Sequence, residues 1–198
     1  MKKIILASSS PRRERLLRQA GLKFLVIAPN AKEDASSHLS PRKFVEKLAL
    51  KKALDVASRV KNGIIIGADT IIVCRGKKLG KPKGEKQAFK MLKLMSGRKL
   101  NVYSGIAIVD SKTRERVVDS EKTAITIRKL ADDEIRAYIR TKEPLDKAGA
   151  IAIQGLGAKF VSRIDRSASN VTGLPLECLH KNLRKFGVGA STPKRWNI

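Results

Sequence analysis

Aromatic residues make up only 4% of this chain, and its 198 residues include just two cysteines and two histidines. With so few rings, the core must be aliphatic, and a hydrophobic fraction of 42% is enough to build one. Cys74 and Cys178 lie far apart and form neither a zinc pattern nor a CxxC pair, so they read as buried free thiols. His38 and His180 are isolated and fit no metal motif. No GxSxG elbow accompanies them, and nothing suggests a Ser-His-Asp hydrolase. A GxxxxGK[ST] loop and a full GxGxxG are also missing, which argues against a P-loop ATPase and a dinucleotide-binding dehydrogenase. No stretch reaches the ~18 apolar residues of a membrane span. Lys2-Lys3-Ile4-Ile5-Leu6 is too short for a secretory leader. These absences predict a soluble, cytoplasmic protein without a membrane partner.

Negative charge is scarce as well. Against 43 lysines and arginines stand 18 acids, a formal net charge of +25. Such a balance attracts polyanions: nucleotides, nucleic acid or anionic lipid. The cations are scattered rather than gathered in blocks, and a solubilising surface would look the same. No motif interleaves aromatic and basic residues to stack single-stranded bases. The charge admits nucleic acid, but no such partner is expected.

What is present alternates between two periods. Strand-like runs cover Lys3–Ala7, Phe24–Ala28, Ile64–Cys74, Val102–Val109, Val117–Ile127 and Phe160–Ile164. Helical patterns cover Pro11–Ala20, Pro41–Val60, Glu85–Met95, Asp132–Thr141 and Pro175–Phe186. Strands and helices alternate at first; then two strands run consecutively through Asp110-Ser111-Lys112-Thr113, which reads as a hairpin. The order predicts an α/β protein with a mixed sheet. One domain is expected over residues 1–186, followed by a polar tail over 187–198.

Several segments carry chemistry. In Ala7-Ser8-Ser9-Ser10-Pro11-Arg12-Arg13-Glu14, a strand gives way to a polar turn and a helix start, with Ser10 suited to the N-cap and Pro11 to the first helical position. Helix amides, hydroxyls and guanidinium forks meet there, as phosphate binding requires. A capped surface helix with solvated arginines is the plainer alternative. In Ile64-Ile65-Ile66-Gly67-Ala68-Asp69-Thr70-Ile71-Ile72-Val73-Cys74, Asp69 and Thr70 interrupt an apolar strand. A buried carboxylate is costly unless paired or bound to metal, and Gly67 and Ala68 leave room beside it. The alternative is a carboxylate capping a strand end. In the helix Pro41–Val60, Lys52 falls in phase with the apolar stripe while Lys51 points away. An in-phase lysine either snorkels or neutralises a charge inside. Leu79-Gly80-Lys81-Pro82 presents a lysine from a constrained turn. In Ile153-Gln154-Gly155-Leu156-Gly157, small residues flank a glutamine able to read a base edge. Glu33 is a loop carboxylate suited to a metal.

In order along the chain stand Ser8-x-Ser10-Pro11-Arg12-Arg13, Glu33, Leu48-Ala49 with Lys52-Ala53, Gly67-Ala68-Asp69-Thr70, Gly80-Lys81-Pro82, Ser96-Gly97-Arg98, Glu143-Pro144, Asp146-Lys147-Ala148-Gly149, Ile153-Gln154-Gly155 and Gly173-Leu174-Pro175-Leu176. This ordered set resembles the Maf family of nucleoside triphosphate pyrophosphatases. The resemblance implies an elongated mixed β-sheet flanked by helices, with two lobes around a central nucleotide cleft. It implies Asp69 as catalytic proton acceptor and Arg12, Thr70 and Gln154 as substrate-specificity residues of the branch acting on dTTP and UTP. Ser8, Arg13, Lys52 and Lys81 would bind phosphate, and Glu33 with Asp69 would bind a divalent cofactor, Mg2+, Mn2+ or Co2+. A homodimer is implied too. Three positions depart from the pattern: Lys99 stands where a histidine is common, Ile151 where a tyrosine is usual, and Arg166 where a glycine is common. Two other readings compete: a pyrophosphatase for modified purine nucleotides such as 7-methylguanosine triphosphate, and a basic nucleic-acid-binding protein.

Overall fold

The computed structural model describes residues 2–31 and 38–189. Its strands are β1 (Lys3–Ala7), β2 (Leu25–Val26), β3 (Gly63–Cys74), β4 (Lys77–Leu79), β5 (Lys99–Asp110), β6 (Arg116–Ile127) and β7 (Val161–Asp165). The helices are α1 (Pro11–Gln19), α2 (Pro41–Ala57), α3 (Glu85–Met95), α4 (Asp132–Arg140), α5 (Ala168–Thr172) and α6 (Leu176–Leu183). The strands join in one sheet of order β2-β1-β3-β5-β6-β7, with β4 paired to β3. It is mixed: β1 runs parallel to β2 and β3, whereas β4 and β7 are antiparallel to their partners. The mixed α/β class predicted from element order is therefore the observed one.

The chain divides into two compact units. One comprises residues 1–69, 104–121 and 173–198; the other comprises 70–103 and 122–172. In the first, the sheet is buried on both faces. Leu6, Ile64, Ile66, Ile106 and Ile108 face Leu16 and Leu17 of α1 and Leu176, Leu179 and Leu183 of α6. Their strand neighbours Ile5, Ala7, Ile65, Ala107 and Val109 face Ala49, Ala53 and Val56 of α2. Coverage on both faces is why these strands read as continuous apolar runs rather than alternating ones. In the second unit, Ile72, Cys74, Leu100, Val102, Ile125 and Ile127 pack with Leu92 and Met95 of α3 and Ile135 and Ile139 of α4.

Helix α2 begins at Pro41 behind Ser40, whose hydroxyl accepts from the Lys43 N–H at 3.5 Å. It ends at Ala57, short of the expected Val60, and Ser58 closes it. The sequence pattern missed β4, a three-residue strand, and α5, a single short helix. The expected tail over 187–198 begins with Gly187 in a left-handed conformation at φ 69°; positions 190–198 lie outside the described residues.

Candidate active site

The first unit carries the acidic centre. On β3, Ile65, Gly67 and Asp69 alternate onto the face covered by α2. Gly67 has a second reason to be glycine. A Cβ there would lie 2.3 Å from the Ala49 carbonyl oxygen and 2.9 Å from the Ala53 Cβ. Gly105 repeats the device, since its Cβ would lie 2.5 Å from the Val45 carbonyl. These two glycines let the α2 backbone rest directly on the sheet. The space that Gly67 opens beside Asp69 is thus taken up by α2, not left for a ligand.

At that short separation, Lys52 reaches Asp69. Its Nζ donates to Asp69 Oδ1 at 2.7 Å, and the two side chains are only 10% and 8% exposed. Lys52 sits in the buried stripe of α2, and Lys51 is exposed. Of the two roles open to an in-phase lysine, neutralising an interior charge is the one observed. Asp69 is a paired buried carboxylate and not a cap at a strand end, because β3 continues to Cys74.

The turn after β1 is built differently from its expected form. Ser10 occupies the N-cap of α1 and Pro11 the first turn, but the Ser10 side chain makes no capping bond. The hydroxyl at work is Ser8, which is buried and accepts from the Ser10 N–H at 3.2 Å and from Arg13 Nη1 at 3.4 Å. Arg13 Nε donates to the Gly173 carbonyl at 2.8 Å, tying α1 to the segment that opens α6. Arg13 is therefore a brace of the turn, whatever else it binds. Arg12 is partly exposed beside it.

The second unit carries three other candidates. Thr70 follows Asp69 on β3 and shares the face of Ile72 and Cys74. Lys81 is exposed on the turn after β4, and that turn is anchored where the Gly149 N–H donates to the Gly80 carbonyl at 2.9 Å. Gln154 stands between two 3-10 turns, Ala148–Ala150 and Leu156–Phe160. Its Oε1 is buried and has no hydrogen-bond partner among the described residues. A buried acceptor left unbonded costs about 1–3 kcal/mol, so this atom is poised for a donor.

Glu33 lies outside the described residues. Among the described residues, no group of three His, Cys, Asp or Glu side chains is placed to hold a metal. Both cysteines are free, and burial pushes the Cys178 thiol up to about 12, so it is an inert thiol at neutral pH. Among the described residues, no helix is long and apolar enough to cross a membrane. Arg166, at a position where glycine was the expectation, holds φ at 94°, a region that favours glycine.

Similarity to known proteins shows the family. The family model for Maf-like protein matches residues 3–186. A dTTP/UTP pyrophosphatase of Caldicellulosiruptor saccharolyticus is 46% identical over 191 residues, covering 94% of this chain and 96% of its own. One from Thermoanaerobacter sp. (strain X514) is 49% identical over 184 residues, covering 92% and 96%. One from Methanosarcina barkeri (strain Fusaro / DSM 804) is 44% identical over 189 residues, covering 95% and 96%. Among solved structures, the Staphylococcus aureus Ham1 protein matches 66% of this chain and 73% of its own at TM-score 0.46 and 17% identity, too loose a likeness to add to the argument.

Proposed function

Because the chain belongs to the Maf-like protein family, we propose that it hydrolyses nucleoside triphosphates, dTTP and UTP among them, to the monophosphate and pyrophosphate. The observation that carries this reading is the buried Lys52–Asp69 pair, 2.7 Å apart between α2 and β3, in a chain whose relatives bear the name dTTP/UTP pyrophosphatase. An aspartate sequestered at such a point is a suitable proton acceptor, because α2 and the sheet hold it in one place.

In this reading Asp69 takes a proton from the water that attacks the α-phosphorus, and the pyrophosphate leaves on the opposite side. Lys52 compensates the charge of Asp69 through the step and, with Lys81 and the braced turn of Ser8 and Arg13, offsets the charge of the phosphate chain. Arg12, Thr70 and Gln154 select the base; the unpartnered Gln154 Oε1 accepts from a donor on its edge.

A divalent ion, Mg2+, Mn2+ or Co2+, fits this donor set. Mg2+ characteristically takes one or two carboxylates and draws its remaining oxygens from water and substrate phosphates. Asp69 would supply one such carboxylate, and Glu33 is the candidate for a second. When bound, such an ion would act as a Lewis acid on the phosphate chain and acidify a bound water. A homodimer completes the proposal, its support being the family resemblance; action on the nucleotide pool suits a cytoplasmic location.

The test is pyrophosphate release with Mg2+ or Mn2+ from dTTP, UTP, CTP, ITP, 7-methylguanosine triphosphate and the common purine triphosphates. Turnover of dTTP and UTP, lost in Asp69→Asn, is the expected result. Turnover by Asp69→Asn at the wild-type rate would remove Asp69 from the mechanism, and release confined to purines would reassign the substrate.

A further inference from the structure

We propose that Glu143 and Tyr138 form a clamp that fixes the loop carrying Gln154, which makes them positioning residues for base selection. The proposal rests on the reading above that Gln154 contacts the base.

The clamp is visible bond by bond. Glu143 opens a 3-10 turn, Glu143–Asp146, directly after Lys142 in a left-handed conformation at φ 62°. Its Oε2 accepts from the Leu156 N–H at 3.1 Å. Its Oε1 accepts from the Gly157 N–H at 3.1 Å and from the Tyr138 hydroxyl at 2.9 Å. That hydroxyl accepts in turn from the Ala152 N–H at 3.2 Å. The single phenolic proton goes to the carboxylate, which leaves a lone pair for Ala152. One carboxylate–phenol pair therefore holds the backbone two residues before Gln154 and two and three residues after it.

The glycines of this loop are shaped to the clamp. A Cβ on Gly155, at φ 123°, would lie 2.7 Å from Glu143 Oε2. A Cβ on Gly157 would lie 2.6 Å from the Tyr138 hydroxyl. The small residues make room for the carboxylate and the phenol. Tyr138 is itself fixed: it is 2% exposed on α4, and its ring meets Phe160 edge-on with centroids 5.1 Å apart. Glu143 spends its oxygens on three internal donors, which is the behaviour of an anchor rather than a ligand-binding group. Burial alone would push its carboxyl up, but the Leu156 N–H, the Tyr138 hydroxyl and the Gly157 N–H together hold it below the usual carboxylate range. It is ionised at neutral pH.

A loop pinned on both sides explains how Gln154 keeps a buried, unbonded Oε1 in the free protein. An unpinned loop would turn that amide out to water. Held in place, it discriminates by accepting a donor without first being ordered.

The test uses Tyr138→Phe, which deletes only the hydroxyl and keeps the ring on Phe160; Glu143→Gln, which sets an amide N–H against an N–H or O–H donor; and each of these combined with Gln154→Ala. Two readouts are needed. Amide hydrogen exchange in the ligand-free protein reports the clamp itself; exchange at Ala152, Leu156 and Gly157 should accelerate at least about tenfold, the factor expected when a hydrogen bond to a charged network is lost. The ratio of kcat/KM for dTTP over dCTP reports selection; it should fall about tenfold in Tyr138→Phe, with no further fall when Tyr138→Phe is added to Gln154→Ala. Unchanged exchange in both variants overturns the clamp. Accelerated exchange with unchanged selectivity, or a loss of selectivity that adds in full to that of Gln154→Ala, overturns its action through Gln154. A wild-type protein that hydrolyses neither nucleotide overturns the functional reading, and the selective role of the clamp falls with it; exchange still separates that failure from a failure of the clamp geometry.

Discussion

Removing the lysine of the buried pair should do more damage than removing both charges. In Lys52→Met, the methionine occupies the same stripe of α2, but Asp69 loses the ammonium that donates to it at 2.7 Å. With side chains 10% and 8% exposed, solvent supplies little compensation. Breaking such a pair from one side costs about 3–5 kcal/mol. The slight exposure favours the lower end, about 3 kcal/mol. For a chain of this size each kcal/mol moves the melting temperature about 2–4 °C, so the midpoint should fall roughly 6–12 °C. Adding Asp69→Asn to Lys52→Met removes the uncompensated charge and leaves a neutral amide; at least about 1 kcal/mol should return, or roughly 2–4 °C. The assay is thermal unfolding by circular dichroism on wild type, both single variants and the double variant, at neutral pH and one salt concentration. A Lys52→Met midpoint equal to wild type would show the ion pair to be energetically idle. A double variant that melts as low as the sum of the two singles would show that they do not act as a pair. Either result refutes the reasoning.

Two further outcomes follow from the same kind of geometry. Gly67→Ala places a methyl 2.3 Å from the Ala49 carbonyl oxygen, so it should cost about 1–3 kcal/mol of overpacking and lower turnover by displacing Lys52, whereas Gly80→Ala meets nothing within 4 Å and should leave the melting temperature within about 2 °C. Glu134 is held at about 2, against an ordinary 4.5, chiefly by Arg128 and then by the Ala131 N–H. A lowered carboxylate stabilises the fold above its unfolded value and loses that contribution as pH falls through the folded one. The stability advantage of wild type over Glu134→Gln should therefore be complete at neutral pH and shrink between about pH 5 and 2; denaturant titrations across that range that run parallel would contradict it.

The elements that a one-dimensional pattern finds here are those with a clear period. The α3 boundaries, Glu85 to Met95, and those of β1, Lys3 to Ala7, match residue for residue, because each carries an unbroken apolar pattern between polar breaks. β4 escapes because Lys77 and Lys78 hide a strand held only by pairing with β3; its stability comes from the partner, not from its own residues. The two-sided burial of β1, β3 and β5 is legible, since their apolar runs do not alternate. The face of α2 is legible too, and it placed Lys52 inward.

Partnership is another matter, because it depends on which surfaces the fold brings within bonding distance. Lys52 and Asp69 stand seventeen positions apart, and nothing in either segment says that they meet. The small residues mark where they do, but their meaning is easily inverted. Gly67, Gly155 and Gly157 all sit beside residues with chemistry to perform, and each reads naturally as space for a ligand. In the folded chain each is space for the protein itself: α2 beneath Gly67, the Glu143 carboxylate beside Gly155, the Tyr138 hydroxyl beside Gly157. The reason is general to a site that must act without rearranging. A side chain is held to a fraction of an ångström only by neighbours that touch it, and the closest support comes from backbone and short polar groups packed where a Cβ would otherwise be. A glycine next to a candidate catalytic residue thus marks the rigidity of the site before it marks the shape of the substrate. If that is its role here, Gly157→Ala should impair base selection through Tyr138 while leaving the Lys52–Asp69 bond intact, and Gly67→Ala should do the reverse.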